Sequence, residues 1–136
     1  MLQFDFKRLN GKWMLTELRE VEGGNVPNAD FLSFYSQFAN DSVYQRRSLA
    51  DPVRLILTSE DGEEDNQEEF LAPDDWFAMR DDLPLPTDAV INFNYGQANI
   101  SQNRKTMMMC GLSNGLEMKF RFKKVGDDWK LVEIEY

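Results

Sequence analysis

The chain opens with a copy of its own end. Residues 4–20, FDFKRLNGKWMLTELRE, align without a gap on residues 120–136, FRFKKVGDDWKLVEIEY. Phe4 matches Phe120, Phe6 matches Phe122, Lys7 matches Lys123, Trp13 matches Trp129, Leu15 matches Leu131 and Glu17 matches Glu133. Arg8/Lys124, Leu9/Val125 and Leu18/Ile134 are conservative pairs. The offset between the copies is about the length of one small domain. Gln3-Phe4-Asp5-Phe6-Lys7 alternates with period two, as a half-buried strand does. Asn10-Gly11 is a hairpin-turn dipeptide, because both residues tolerate positive φ, and Trp13 to Glu20 resumes as a second strand. A lone two-stranded hairpin is marginal in water, so this ribbon needs a surface to dock on. The pattern predicts a β-hairpin over 1–24 and a domain over 25–136. Convergence of two unrelated hairpins on one turn design is the other reading of the match.

Composition narrows the function classes. The 136 residues are enough for one domain with a proper core, and the 42% hydrophobic fraction fits an ordered globular chain. There is no histidine. That removes the usual general base, the usual zinc ligand and every Ser-His or Cys-His pair. Between Glu60 and Asp82 eleven acidic residues accompany a single base, Arg80, within a net charge of −9. No basic stripe exists to displace phosphate counterions, so nucleic acid is not an expected partner. No apolar run approaches the ~20 residues of a membrane-spanning helix. Met1 leads straight into an alternating pattern with no basic n-region, so no signal peptide is expected within this sequence. Cys110 sits in the apolar run MMMCGL and is expected to be a buried, inert thiol.

Glu22 to Asn28 is a linker by its Gly, Pro and Asn content. Phe31, Phe34, Tyr35 and Phe38 then fall at i, i+3, i+4 and i+7, one apolar stripe of a helix capped by Asn28 or Asp30. Asp41-Ser42 caps a further short turn, with Arg46 and Arg47 near its end, where the helix dipole favours positive charge. Asp51-Pro52 is expected to break the helix, and Val53 to Thr58 is β-rich. The acidic stretch 60–69 reads as a loop or hairpin tip. Pro73 to Met79 opens like a short helix, with proline and acids in its first turn. Ala89 to Tyr95, Lys105 to Leu112, a stretch sharing Leu116, Met118, Phe120 and Phe122 on one face, and Trp129 to Tyr136 read as strands. The predicted class is α+β: a curved antiparallel sheet packed against an N-terminal helix and a short second helix, preceded by an extra β-hairpin.

The segments FLSFYSQFANDSVYQRRS, DDWFAM and INFNYGQ, with the end hairpin F-x-F-K-x-x-G-x-x-W-x-L, resemble the nuclear-transport-factor-2-like (cystatin-like) cone fold. More closely, they resemble an uncharacterised bacterial family of that fold. The resemblance covers roughly residues 28–136. It implies longer precursors with an export or lipoprotein signal, hence a cell-envelope location. It carries over no catalytic residue.

The cone fold typically holds a pocket between helices and sheet. The candidate lining residues are Phe34, Tyr35, Phe38, Trp76, Phe93, Tyr95, Met107 and Met109, for a small hydrophobic ligand. The same residues equally well fill a core. Tyr35 and Tyr95 are possible hydrogen-bond donors for isomerase- or dehydratase-like chemistry, but no carboxylate lies on the apolar faces of the predicted elements. Asp61 to Glu69 offers alternating oxygen ligands, yet Asn66 and Ala72 break the EF-hand spacing, and a solvated acidic loop is expected instead of a calcium site. Met107-Met108-Met109 alternates across a strand and reads as packing. No metal or cofactor is expected. The expectation is a non-enzymatic ligand-binding or interaction domain, with an enzyme acting on a small hydrophobic substrate as the alternative. It is paired as a homodimer or with a tandem repeat through the hairpin 1–20.

Overall fold

The computed structural model describes residues 2–20, 28–58, 66–79, 101–111 and 115–136. The chain falls into two compact units, Met1–Ser33 and Phe34–Tyr136.

The first unit is built on a hairpin of β1 (Leu2–Leu9) and β2 (Lys12–Glu20). Asn10 (φ 50°) and Gly11 (φ 79°) make the two-residue turn. Two successive positive φ angles match the twist of the flanking strands, which is why Asn-Gly occupies such turns. Phe6 stands opposite Leu15 and Phe4 opposite Leu18, with a register shift between Asp5 and Phe6 that leaves Thr16 as the extra residue. Asp5 accepts a 2.8 Å bond from Arg19 on the polar face.

Helix α1 (Ala29–Asn40) carries the aromatic stripe and spans the boundary between the units. Helix α2 (Ser42–Arg47) follows after a single residue. The Asp41 carboxylate caps α2 by accepting from Val43 N (2.9 Å) and Tyr44 N (3.0 Å), satisfying donors that have no partner within a first turn.

Strands β3 (Leu49–Leu57), β4 (Gln67–Leu71), β5 (Arg104–Cys110), β6 (Glu117–Val125) and β7 (Asp128–Glu135) form a sheet in the order β4-β3-β7-β6-β5. Helix α3 (Pro73–Met79) lies between β4 and β5 in sequence. The pairings are antiparallel except β3 with β7, which is parallel and sets Arg54 beside Glu133. Val53, Leu55, Leu71, Met118, Phe120, Phe122, Leu131 and Ile134 bury one face of the sheet.

The two hairpins share one register. In β6–β7, Phe122 stands opposite Leu131 and Phe120 opposite Ile134, with a register shift between Arg121 and Phe122. Each pairing and the shift itself coincide with those of β1–β2 under the sequence alignment. The match therefore extends from residue identity to backbone pairing.

Three expectations need correction. Asp51-Pro52 does not end a helix: α2 has already stopped at Arg47, and the dipeptide lies inside β3. Proline lacks a ladder donor, and the β3–β7 pairing skips between Leu49 and Arg54, where Pro52 sits. Residues 67–69 of the acidic stretch belong to strand β4 rather than a loop; charge on an edge strand discourages further pairing. Cys110 is exposed, not buried. It pairs with Glu117, while its neighbour Met109 pairs with the buried Met118 on the opposite face. The acidic residues 60–65 and the predicted strand 89–95 lie outside the described residues.

The other sheet face is ionic. Arg54 bonds Glu68 (3.1 Å) and Glu133 (2.8 Å), Arg121 bonds Glu133 and Glu135, and Lys119 bonds Glu135 (2.7 Å). Hydrogen bonds from Lys119 and Arg121 hold the Glu135 carboxyl below its ordinary value of 4.5, and Arg54 does the same for Glu68. A carboxylate whose folded pKa is depressed contributes stability above the unfolded pKa and loses it as pH falls through the folded one. Thermal unfolding measured from neutral pH down to about pH 3 is therefore expected to show a falling midpoint below the ordinary carboxylate range. In Glu135→Gln the midpoint is expected to start lower at neutral pH and to decline less. Equal slopes would remove the ladder from the acid response.

Candidate functional site

Helix α1 closes on the sheet through rings. Phe122 of β6 lies 5.5 Å from Phe38, 5.7 Å from Phe34 and 6.3 Å from Tyr35, each near edge-to-face. That geometry places ring edges against the negative faces of their neighbours. Burial pushes the Tyr35 phenol up to about 12, so it stays protonated through the neutral range and does not act as a base there.

A buried polar relay ties α1, α2 and α3. Gln45 of α2 donates from Nε2 to the Phe38 carbonyl of α1 (3.1 Å) and accepts at Oε1 from Trp76 Nε1 of α3 (3.2 Å). Both side chains are buried. Gln45 and Ser48 are the buried polar residues among those described.

Of the predicted lining, Phe34, Tyr35, Phe38 and Trp76 are brought together in the core. Met107 and Met109 are half-buried on the core face of β5, opposite Phe120 and Met118. Phe93 and Tyr95 lie outside the described residues.

A recess of about 370 Å³ opens instead where α2 meets the start of β7, lined by Tyr44, Arg47, Ser48, Asp128, Trp129 and Lys130. Hydrogen bonds join the two segments: Leu131 N donates to Ser48 O (2.8 Å) along the backbone, and the Lys130 side chain donates from Nζ to Arg47 O. Arg47 stacks 4.4 Å from the Tyr44 ring centre, and Lys124 lies 5.6 Å from that of Trp129. The volume lies in the range of small-molecule sites. Within the lining, Arg47 and Lys130 stand with the rings of Tyr44 and Trp129 and the Asp128 carboxylate, and cations beside aromatic faces suit an anionic group on a flat apolar body. No local pattern in the sequence marks this recess: Arg46 and Arg47 read as helix-dipole partners and Trp129 as a repeat position. The usable signal is the cation–aromatic spacing Tyr44–Arg47.

Among the described residues no helix is long and apolar enough to cross a membrane, which says nothing of strands. No group of metal-ligating side chains occurs among them either.

No curated protein matches the sequence. Among solved structures, an NTF2-like protein from Bacteroides fragilis NCTC 9343 is similar over 98% of this chain, at 32% identity and a TM-score of 0.76. The match spans 58% of that protein, leaving about 95 of its residues outside it. An NTF-2 like protein of unknown function from Silicibacter pomeroyi DSS-3 aligns at 12% identity and a TM-score of 0.40, covering 76% of this chain and 86% of that one. The likeness to the Bacteroides protein agrees with the α+β sheet and its helices. Residues 1–136 match the family described as Domain of unknown function (DUF4348), and the chain belongs to that family.

Proposed function

We propose that this chain is a non-enzymatic binding domain that takes a small aromatic or aliphatic carboxylate in the recess between α2 and β7. The observation that carries this reading is the convergence of Arg47 and Lys130 on one recess beside the rings of Tyr44 and Trp129. The guanidinium offers planar donors to a carboxylate, and the rings offer an apolar wall. Among the described residues, the buried titratable side chain of the core is Tyr35, held protonated by burial. That favours binding over acid–base chemistry.

Benzoate is a suitable probe. Titration followed by NMR is expected to shift the amides of Arg47, Ser48 and Lys130 saturably, with a Kd of about 1 mM or tighter, about 4 kcal/mol. Arg47→Ala with Lys130→Ala is expected to abolish the response, and neutral benzamide to give none. Unshifted amides at 10-fold that concentration, or an equal response to benzamide, would refute the reading.

A further inference from the structure

The duplicated hairpin carries a face that the second copy explains. In β6–β7 the inner side chains Phe120, Phe122, Trp129, Leu131 and Ile134 are each at most 4% exposed. Their aligned counterparts Phe4, Phe6, Trp13, Leu15 and Leu18 are 50–69% exposed. Register and bulge are the same, so the apolar residues of β1–β2 share one side as their counterparts do. What covers that side in the second copy is the aromatic stripe of α1, whose Phe34, Tyr35 and Phe38 meet Phe122.

The opposite side confirms which face is which. Arg121 bonds Glu135 across β6–β7. At the aligned positions Asp5 accepts from Arg19 across β1–β2 at 2.8 Å. The diagonal ion pair is kept with its polarity reversed, which marks the outer face of a ribbon in both copies.

We propose that β1–β2 is the closing ribbon of a second cone domain, and that its apolar face docks an aromatic amphipathic helix supplied by sequence preceding Met1 in a longer polypeptide. Helix α1 is not the occupant, because Phe34, Tyr35 and Phe38 are already buried. The Bacteroides protein supports the size: the residues outside its match number about 95, close to a small cone domain without its last hairpin. By analogy with β7 beside β3 and β6 beside β5, β2 takes a parallel neighbour and β1 an antiparallel one.

The test compares the 136-residue chain with the natural polypeptide that includes the sequence encoded upstream of it. Trp76 and Trp129 are buried, so acrylamide quenching of tryptophan fluorescence reports mainly on Trp13. Quenching of the Trp13 contribution, isolated by comparison with Trp13→Phe, is expected to fall severalfold in the longer form. Phe6→Ser is expected to leave the melting of the 136-residue chain unchanged and to lower that of the longer form by about 5 °C or more. Glu17→Ser, on the outer face, serves as a variant that spares the docking side. Three results overturn the proposal: Trp13 equally quenched in both forms, a 136-residue dimer that Phe6→Ser dissociates, or a natural polypeptide beginning at Met1.

Discussion

Phe122→Ala is expected to destabilise the Phe34–Tyr136 unit by about 3–5 kcal/mol, the usual cost of emptying a buried aromatic site. The aligned substitution Phe6→Ala is expected to cost this chain about 0.5 kcal/mol or less, as a surface change does. The two phenylalanines hold the same place in the same register, so propensity and pairing cancel in the comparison. What differs is surroundings. Phe122 is 1% exposed and meets three rings of α1, whereas Phe6 is 56% exposed. Denaturant unfolding followed by circular dichroism measures both. Equal losses at the two positions would show that the first ribbon is covered in this chain.

Trp76→Ala ranks beside it. Trp76 is fully buried and its indole N–H feeds Gln45. Truncation removes the packing and leaves a cavity, for about 3–5 kcal/mol. It also strands the Gln45 oxygen. Gln45→Leu separately is expected to cost about 1–3 kcal/mol, because the Trp76 N–H and the Phe38 carbonyl lose their buried partner. Since the two residues share one hydrogen bond, the double variant should lose less than the sum, with a coupling of about 0.5–3 kcal/mol. Strict additivity in a thermal or urea series would mean that the relay does not link α2 to α3.

Local chemistry made much of the architecture legible. Asn10-Gly11 placed the first turn, Asp41 the cap of α2, and the spacing of Phe31, Phe34, Tyr35 and Phe38 the first helix. The ribbon duplication was readable because identical side chains recur in order. What escaped was set by partners distant in the chain. The polar run of β4 has no alternation to betray a strand, and only its pairing with β3 defines it. Cys110 went to the outer face because β5 is half-buried, not a fully buried apolar run. The recess joins residues 44–48 to residues 128–130, with Leu131 N bonded to Ser48 O and Lys130 Nζ to Arg47 O, a juxtaposition no local pattern encodes.

The reversed ion pair has a consequence for how such ribbons choose their mates. Proteins built from similar units risk exchanging equivalent strands during folding. In its own ribbon Asp5 stands opposite Glu17 and is held by Arg19 on the diagonal; a hybrid of β1 with β7 would set it against Glu133 and Glu135, with no cation in reach. Like charges facing across strands oppose pairing. The discrimination therefore rests on β1: Arg19 of β2 neutralises Asp5, and β7 has no counterpart to it.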